Sequence, residues 1–248
     1  MKKFFKKLFS IFGAISLCIP MFSTTVCAES TIPIETGKID DYIYQMVTDY
    51  ENGVFIERND SKKISPQTLF AQTPSFNNLN GTVNYLYDVR KVEENKYAAT
   101  QVALYSSLRQ ETQGEKNGVI VFCRIVYDEK DFGKPWSFVK LQSVEGGVVR
   151  NNDLYWCEFL YMRYKVRGMG YNADGTKAGF HAKETNYSDT GQIMSPKVGF
   201  AYSISGPNDY YYSMGELDGL IVGFLKSHIS YRLSTSEELE ISSALQAI

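Results

Sequence analysis

His181 and His228 are the only two histidines among 248 residues, and a serine or cysteine nucleophile would need one of them beside it to take its proton. Neither lies in a recognisable motif. The G-x-S-x-G elbow, a Gly-rich phosphate loop and the H-E-x-x-H zinc pattern are all absent from the sequence. His228 alternates with Lys226, Ser230 and Arg232, the pattern of an exposed strand position. His181, beside Phe180, reads as a surface or edge histidine, with a pH-sensitive contact as its other use.

A pair of carboxylates would serve glycoside hydrolysis. Glu158 is the acid to consider, because it interrupts an otherwise apolar stretch where a carboxyl group either has a raised pKa or is paired. Pairing with Arg124 or Arg163, or solvation of that end of the strand, is the preferred reading. Glu111, Glu145 and Glu184 fall at expected turns or strand ends and carry no signal. Cys123, Cys157, His181 and His228 lack the short paired spacings of a structural zinc site. Asp174-Gly175 lacks the alternating acids of a calcium loop. No cofactor or metal is expected.

Binding is better supported. Tyr210, Tyr211 and Tyr212 sit in a segment, Gly206 to Gly215, otherwise made of turn residues. Three consecutive aromatic side chains on a loop cannot all point inward, so at least one should present a flat amphipathic face to a partner. The alternative is the start of a strand, with two tyrosines buried and one exposed.

The element that must organise these residues is Asn152 to Tyr171, NDLYWCEFLYMRYKVRGMGY. Its apolar residues alternate too well for a loop, and Arg163, Lys165 and Arg167 rule out a membrane span. It reads as one long curved strand. Both registers are apolar in its first half, which implies cover on both faces there, whereas the second half is half-buried with Arg163, Lys165 and Arg167 on the solvent side. A strand this long needs a bulge or bend, for which Gly168 and Gly170 are the expected places.

The first 28 residues read as a secretory signal peptide: Lys2, Lys3, Lys6 and Lys7, an apolar run from Leu8 to Phe22, then Val26 and Ala28 before a cut. An uncleaved anchor is disfavoured by Pro20, and no stable membrane anchor is expected after cleavage. Losing four lysines and no acids takes the formal charge from −2 to −6, which argues against a nucleic-acid binder. Cys123 and Cys157 remain, and an even pair in an exported chain reads as a disulfide. If they lay two strands apart in one meander they would be about 9.6 Å apart, beyond the roughly 7 Å reach of a bridge. A disulfide therefore requires strands that are direct neighbours or face each other across two sheets.

Residues 29–81 form a lead-in to the same domain. A helix runs from Ile39 to an end at Asn52-Gly53, in preference to a hairpin turning there. A long loop follows, with a short helix around Thr68 to Gln72. Residues 82–248 then read as strands: Thr82 to Val92, Tyr97 to Leu108, Gly118 to Tyr127, Trp136 to Val144, Ala178 to Thr185 and Lys197 to Ser205. Gly146-Gly147 and Asn172 to Gly175 are read as turns between them. Leu220 to Leu233 reads as a strand rather than a helix because Gly219 and Gly223 weaken a helix interior. Ser234 to Ile248 reads as a short capped helix.

The expectation is an all-β fold, an antiparallel β-sandwich or open barrel with short helices near both ends of the mature chain. Its expected function is that of a secreted, extracellular, non-enzymatic module binding a protein or glycan at a cell envelope, with a carboxylate hydrolase or a toxin-like antagonist as alternatives. N-terminal sequencing of secreted protein is expected to begin at Glu29.

Overall fold

Alternating apolar residues become β-structure through most of the computed structural model, which describes residues 32–54, 81–107, 118–216, 218–231 and 236–246. The leader, the Thr68 to Gln72 helix and Leu233 lie outside the described residues. The strands are β1 (Ile34–Lys38), β2 (Gly81–Glu93), β3 (Lys96–Ser107), β4 (Val119–Lys130), β5 (Phe138–Arg150), β6 (Tyr155–Tyr171), β7 (Lys177–Glu184), β8 (Ile193–Met194), β9 (Phe200–Ser205), β10 (Tyr211–Ser213), β11 (Leu220–Tyr231) and β12 (Ser236–Gln246). Among the described residues two helices accompany them, α1 (Asp41–Glu51) and α2 (Tyr187–Thr190).

All pairings are antiparallel, in the order β12-β11-β6-β10-β5-β4-β3-β2, with β7 and β8 also on β6, β9 on β5 and β1 on β9. The sheet folds over at β10, which bonds to β6 at Tyr211↔Tyr171 and to β5 at Tyr212↔Val139. β6, β11 and β12 thereby pack across β3, β4 and β5. One apolar core fills the space between, with Leu160, Met162, Leu225 and Ile241 from one layer meeting Val121, Ile125, Leu141 and Val144 from the other.

The layers approach closely because glycines face the contact. A Cβ on Gly146 of β5 would lie 2.6 Å from Leu225, and one on Gly223 of β11 would lie 2.7 Å from Ile125. Gly146 and Gly147 are therefore inside β5 rather than in a turn, because each fills a place with no room for a side chain.

The sheet does not close on itself. The free edge of β12 is fastened to β3 by side chains instead of a ladder: the Ser242 amide donates to Gln101 Oε1 at 3.0 Å, and Ser243 Oγ donates to the Ala99 carbonyl at 2.7 Å. Tyr105 of β3 donates to Glu237 of β12, both buried.

The C-terminal segment is β12, not the helix that its Ser and Glu residues suggest. It pairs residue for residue with β11 from Leu220↔Gln246 to Ser230↔Ser236. That ladder, with Leu239, Ile241 and Leu245 in the core, outweighs helix propensity. The strand expected over Leu220 to Leu233 is β11, with Ile221, Leu225 and Ile229 facing inward as the alternation indicates.

β6 runs for 17 residues. Its pairing with β11 slips between His228 and Ile229: Ile229 opposes Cys157 and His228 opposes Phe159, so Glu158 is one residue too many. A one-residue bulge exchanges the faces beyond it. Tyr155 and Cys157 are buried before it, and Leu160, Met162, Tyr164 and Val166 after it. The expected cover on both faces is thus corrected: one face is buried, and the change of parity makes both registers look apolar. Further along, Gly168 takes φ 138°, and the pairing with β7 slips again between Gly170 and Tyr171.

α1 begins where expected. Asp40 caps it, accepting from the Ile43 amide at 3.2 Å, and Gly53 takes φ 71° just past its end. Ile43 and Val47 pack on Val102, Leu104, Ile120 and Phe122, which cover the outer face of β3 and β4. Asp40 also receives Arg90 at 2.5 Å and Arg124 at 2.6 Å, and Arg124 pairs with Glu145 as well.

Gly147→Ala is expected to lower stability by about 2 kcal/mol, since its Cβ would sit 2.3 Å from the Phe200 carbonyl oxygen, a backbone atom that cannot move away alone. A fall in the denaturation midpoint at unchanged slope checks it.

Candidate functional site

The three tyrosines lie at and in β10, and strand alternation separates them. Tyr212 points into the core and is buried, so it offers no surface. Tyr210 stacks on His181 of β7, ring centroids 4.1 Å apart and planes 19° apart. Gly170 lies under this pair, where a Cβ would come within 2.8 Å of the imidazole. Tyr211 faces outward and is half-buried.

Around Tyr211 the loop between β4 and β5 brings further groups. Asp131 accepts from the Gly133 amide at 2.6 Å, and this tight turn carries Phe132 across the strand ends. Phe132 sets its ring against Tyr211 at 5.7 Å and 85°, and against Phe138 at 4.9 Å. Lys130 and Lys140 lie 5.6 and 5.1 Å from the Tyr211 centroid, and Lys130 lies 5.2 Å from that of Phe132. Lys134 is 4.4 Å from the ring centroid of Tyr171 and donates to its hydroxyl at 3.2 Å; that hydroxyl donates to Glu216 at 2.8 Å. Burial, reinforced by Asp128, raises the pKa of Tyr211, so its hydroxyl stays a donor at neutral pH. The result is an aromatic surface edged by lysine ammonium groups, the contact chemistry of sugar faces and of protein surfaces.

Of the two expectations for Glu158, solvation holds and arginine pairing does not. Neither arginine pairs with it: Arg124 is taken by Asp40 and Glu145, and Arg163 reaches Glu240 at 3.5 Å while lying 3.8 Å from the Phe224 ring centroid. Glu158 instead accepts from Ser230 Oγ at 2.6 Å and lies 3.7 Å from His228 Nε2. His228 stacks on Phe159, centroids 4.3 Å apart. A carboxylate placed between a serine and a histidine is not a nucleophile relay, because the imidazole rather than the acid must touch the hydroxyl.

Glu145, which carried no signal, is the partner of a largely buried guanidinium. Burial alone would weaken the charge of Arg124, and the facing Glu145 and Asp40 carboxylates more than offset it, raising its pKa. The signal was the cross-strand pairing Arg124↔Glu145, visible only once register is known. Among the described residues no three His, Cys, Asp or Glu side chains come together as a metal set.

Cys123 and Cys157 are both buried free thiols, which corrects the expected disulfide. They belong to opposite layers, one near the Ser243 backbone of β12 and the other donating to the Phe159 carbonyl at 3.4 Å. Burial pushes both up to about 12.

No protein family model matches the chain, and neither a curated protein nor a solved structure shows a significant match to it.

With both thiols so raised, only about one in ten thousand is thiolate at pH 8. Iodoacetamide is expected to leave Cys123 and Cys157 unmodified in the folded protein and to modify both after unfolding in guanidinium, as read by mass spectrometry.

Proposed function

We propose that this protein is a secreted, non-enzymatic, β-rich interaction module that binds a protein or glycan at a cell envelope, with Tyr211 at the centre of the contact. The observation that carries this reading is the Tyr211 ring, half-buried on a paired strand, with Phe132 against it and Lys130 and Lys140 within about 6 Å of its centroid. A ring held by β10 and a turn-locked loop loses little freedom on binding, which favours affinity. Its hydroxyl and the neighbouring ammonium groups donate to hydroxyl or carbonyl oxygens, while the ring covers C–H surface.

The leader sequence supports export, and the acidic balance of the remaining chain supports a partner other than nucleic acid. Tyr210 acts from beneath by packing on His181, and Tyr212 anchors β10 in the core. A glycosidase would need a second carboxylate facing Glu158 across a bound sugar. The groups that reach Glu158 are Ser230 and His228, so that reading has no specific observation behind it.

A glycan array and a pull-down from isolated cell envelopes test the proposal. Tyr211→Ala and Phe132→Ala are each expected to weaken the captured interaction by about tenfold or more, whereas Phe180→Ala, on the exposed side of β7, leaves it unchanged. Equal capture by wild type and Tyr211→Ala would overturn the reading.

A further inference from the structure

The outer face of β6, β7, β11 and β12 carries acids that are nearly all neutralised. Glu238 meets Lys226 at 2.8 Å, Glu184 meets Lys165 at 3.2 Å and Glu240 meets Arg163 at 3.5 Å. Glu158 is different. Among the described residues its partners are the Ser230 hydroxyl and the His228 imidazole, and no lysine or arginine lies within ion-pair distance. Its side chain is 45% exposed, so the carboxylate reaches solvent.

The bulge aims it. With Cys157 and Phe159 opposed by Ile229 and His228, Glu158 has no counterpart in β11, and its side chain swings over Ser230. Its backbone is pinned from the other side, where the Ser195 amide donates to the Glu158 carbonyl at 2.8 Å. Residues directly opposite in a ladder share a face. Trp156 opposes Ser230, and Phe159 is opposed by His228 in β11 and by Met194 in β8. The carboxylate therefore stands among apolar groups that are open to solvent: Trp156 is 37% exposed and Met194 61%.

We propose that this face is a binding site for an organic ammonium group, with Glu158 as its counter-ion and Trp156 as the π surface. A carboxylate without a fixed cation supplies the charge, the aromatic face adds attraction for a weakly hydrated cation, and the Met194 thioether covers its methyl or methylene groups. Ser230 Oγ and His228 Nε2 hold the carboxylate in place. The site is separate from the Tyr211 surface and stands whether or not that surface binds a glycan.

The test titrates choline, a quaternary ammonium, and Nα-acetyllysine amide, a primary one, while NMR follows the indole signals of Trp136 and Trp156. A saturable shift of Trp156 with Trp136 unmoved is expected from at least one ammonium. Choline alone assigns a small quaternary amine, and the lysine amide alone assigns a basic side chain. Glu158→Gln and Trp156→Leu should each weaken binding by about tenfold or more, and Tyr211→Ala should leave it unchanged. Near-UV circular dichroism shows whether each variant keeps its fold. An equal response to 3,3-dimethylbutan-1-ol, the neutral isostere of choline, would overturn the proposal, as would no saturation by either ammonium or unaltered binding in folded Glu158→Gln.

Discussion

Glu158, inserted between Cys157 and Phe159 without a counterpart in β11, decides which side chains of β6 enter the core. Had the strand continued in one register, the even-numbered Leu160, Met162, Tyr164 and Val166 would lie on the face opposite the odd-numbered Tyr155 and Cys157. The extra residue brings both sets inward. β6 is also the strand that meets β7, β8, β10 and β11, so its register sets theirs. Any account of the core depends on that single insertion.

The second constraint is the narrow gap between layers. Gly146 and Gly223 leave room for Leu225, Met162, Ile125 and Val144 to interlock, which substitutes close packing for a thicker core. Two polar contacts bridge the seam: Gln101 accepts from an edge amide of β12, and Tyr105 donates to Glu237. Burial, then the facing carboxylate, raises the pKa of Tyr105 and keeps it a hydrogen-bond donor. On the outside, the Asp40, Arg90, Arg124 and Glu145 network ties the start of α1 to β2, β4 and β5.

Much of this was legible in the residues. The strand alternation, the helix with its Asn52-Gly53 end and the Asn172 to Gly175 turn follow from local chemistry and stand as read. The places where reading failed share a cause, which is that their meaning lies in a distant partner. Gly146-Gly147 looks like a turn until β9 and β11 press on it. Ser236 to Gln246 looks like a capped helix until the edge of β11 offers a ladder. Glu158 looks like an ordinary alternating position of the long strand until register shows it as an insertion beside Ser230. Of the tyrosine triplet, Tyr210 and Tyr211 are half-buried, while strand alternation sends Tyr212 into the core.

β1 has a partner that is far away along the chain. It pairs with β9, and Thr36 donates to the Ala201 carbonyl, 165 residues later. β9 in turn is held by β5. β1 is thus among the last of the described strands that the fold can fasten, and it stays loose until β9 has emerged. Such distant closure slows folding, and it leaves β1 free for a long interval in which other cellular machinery can take hold of it.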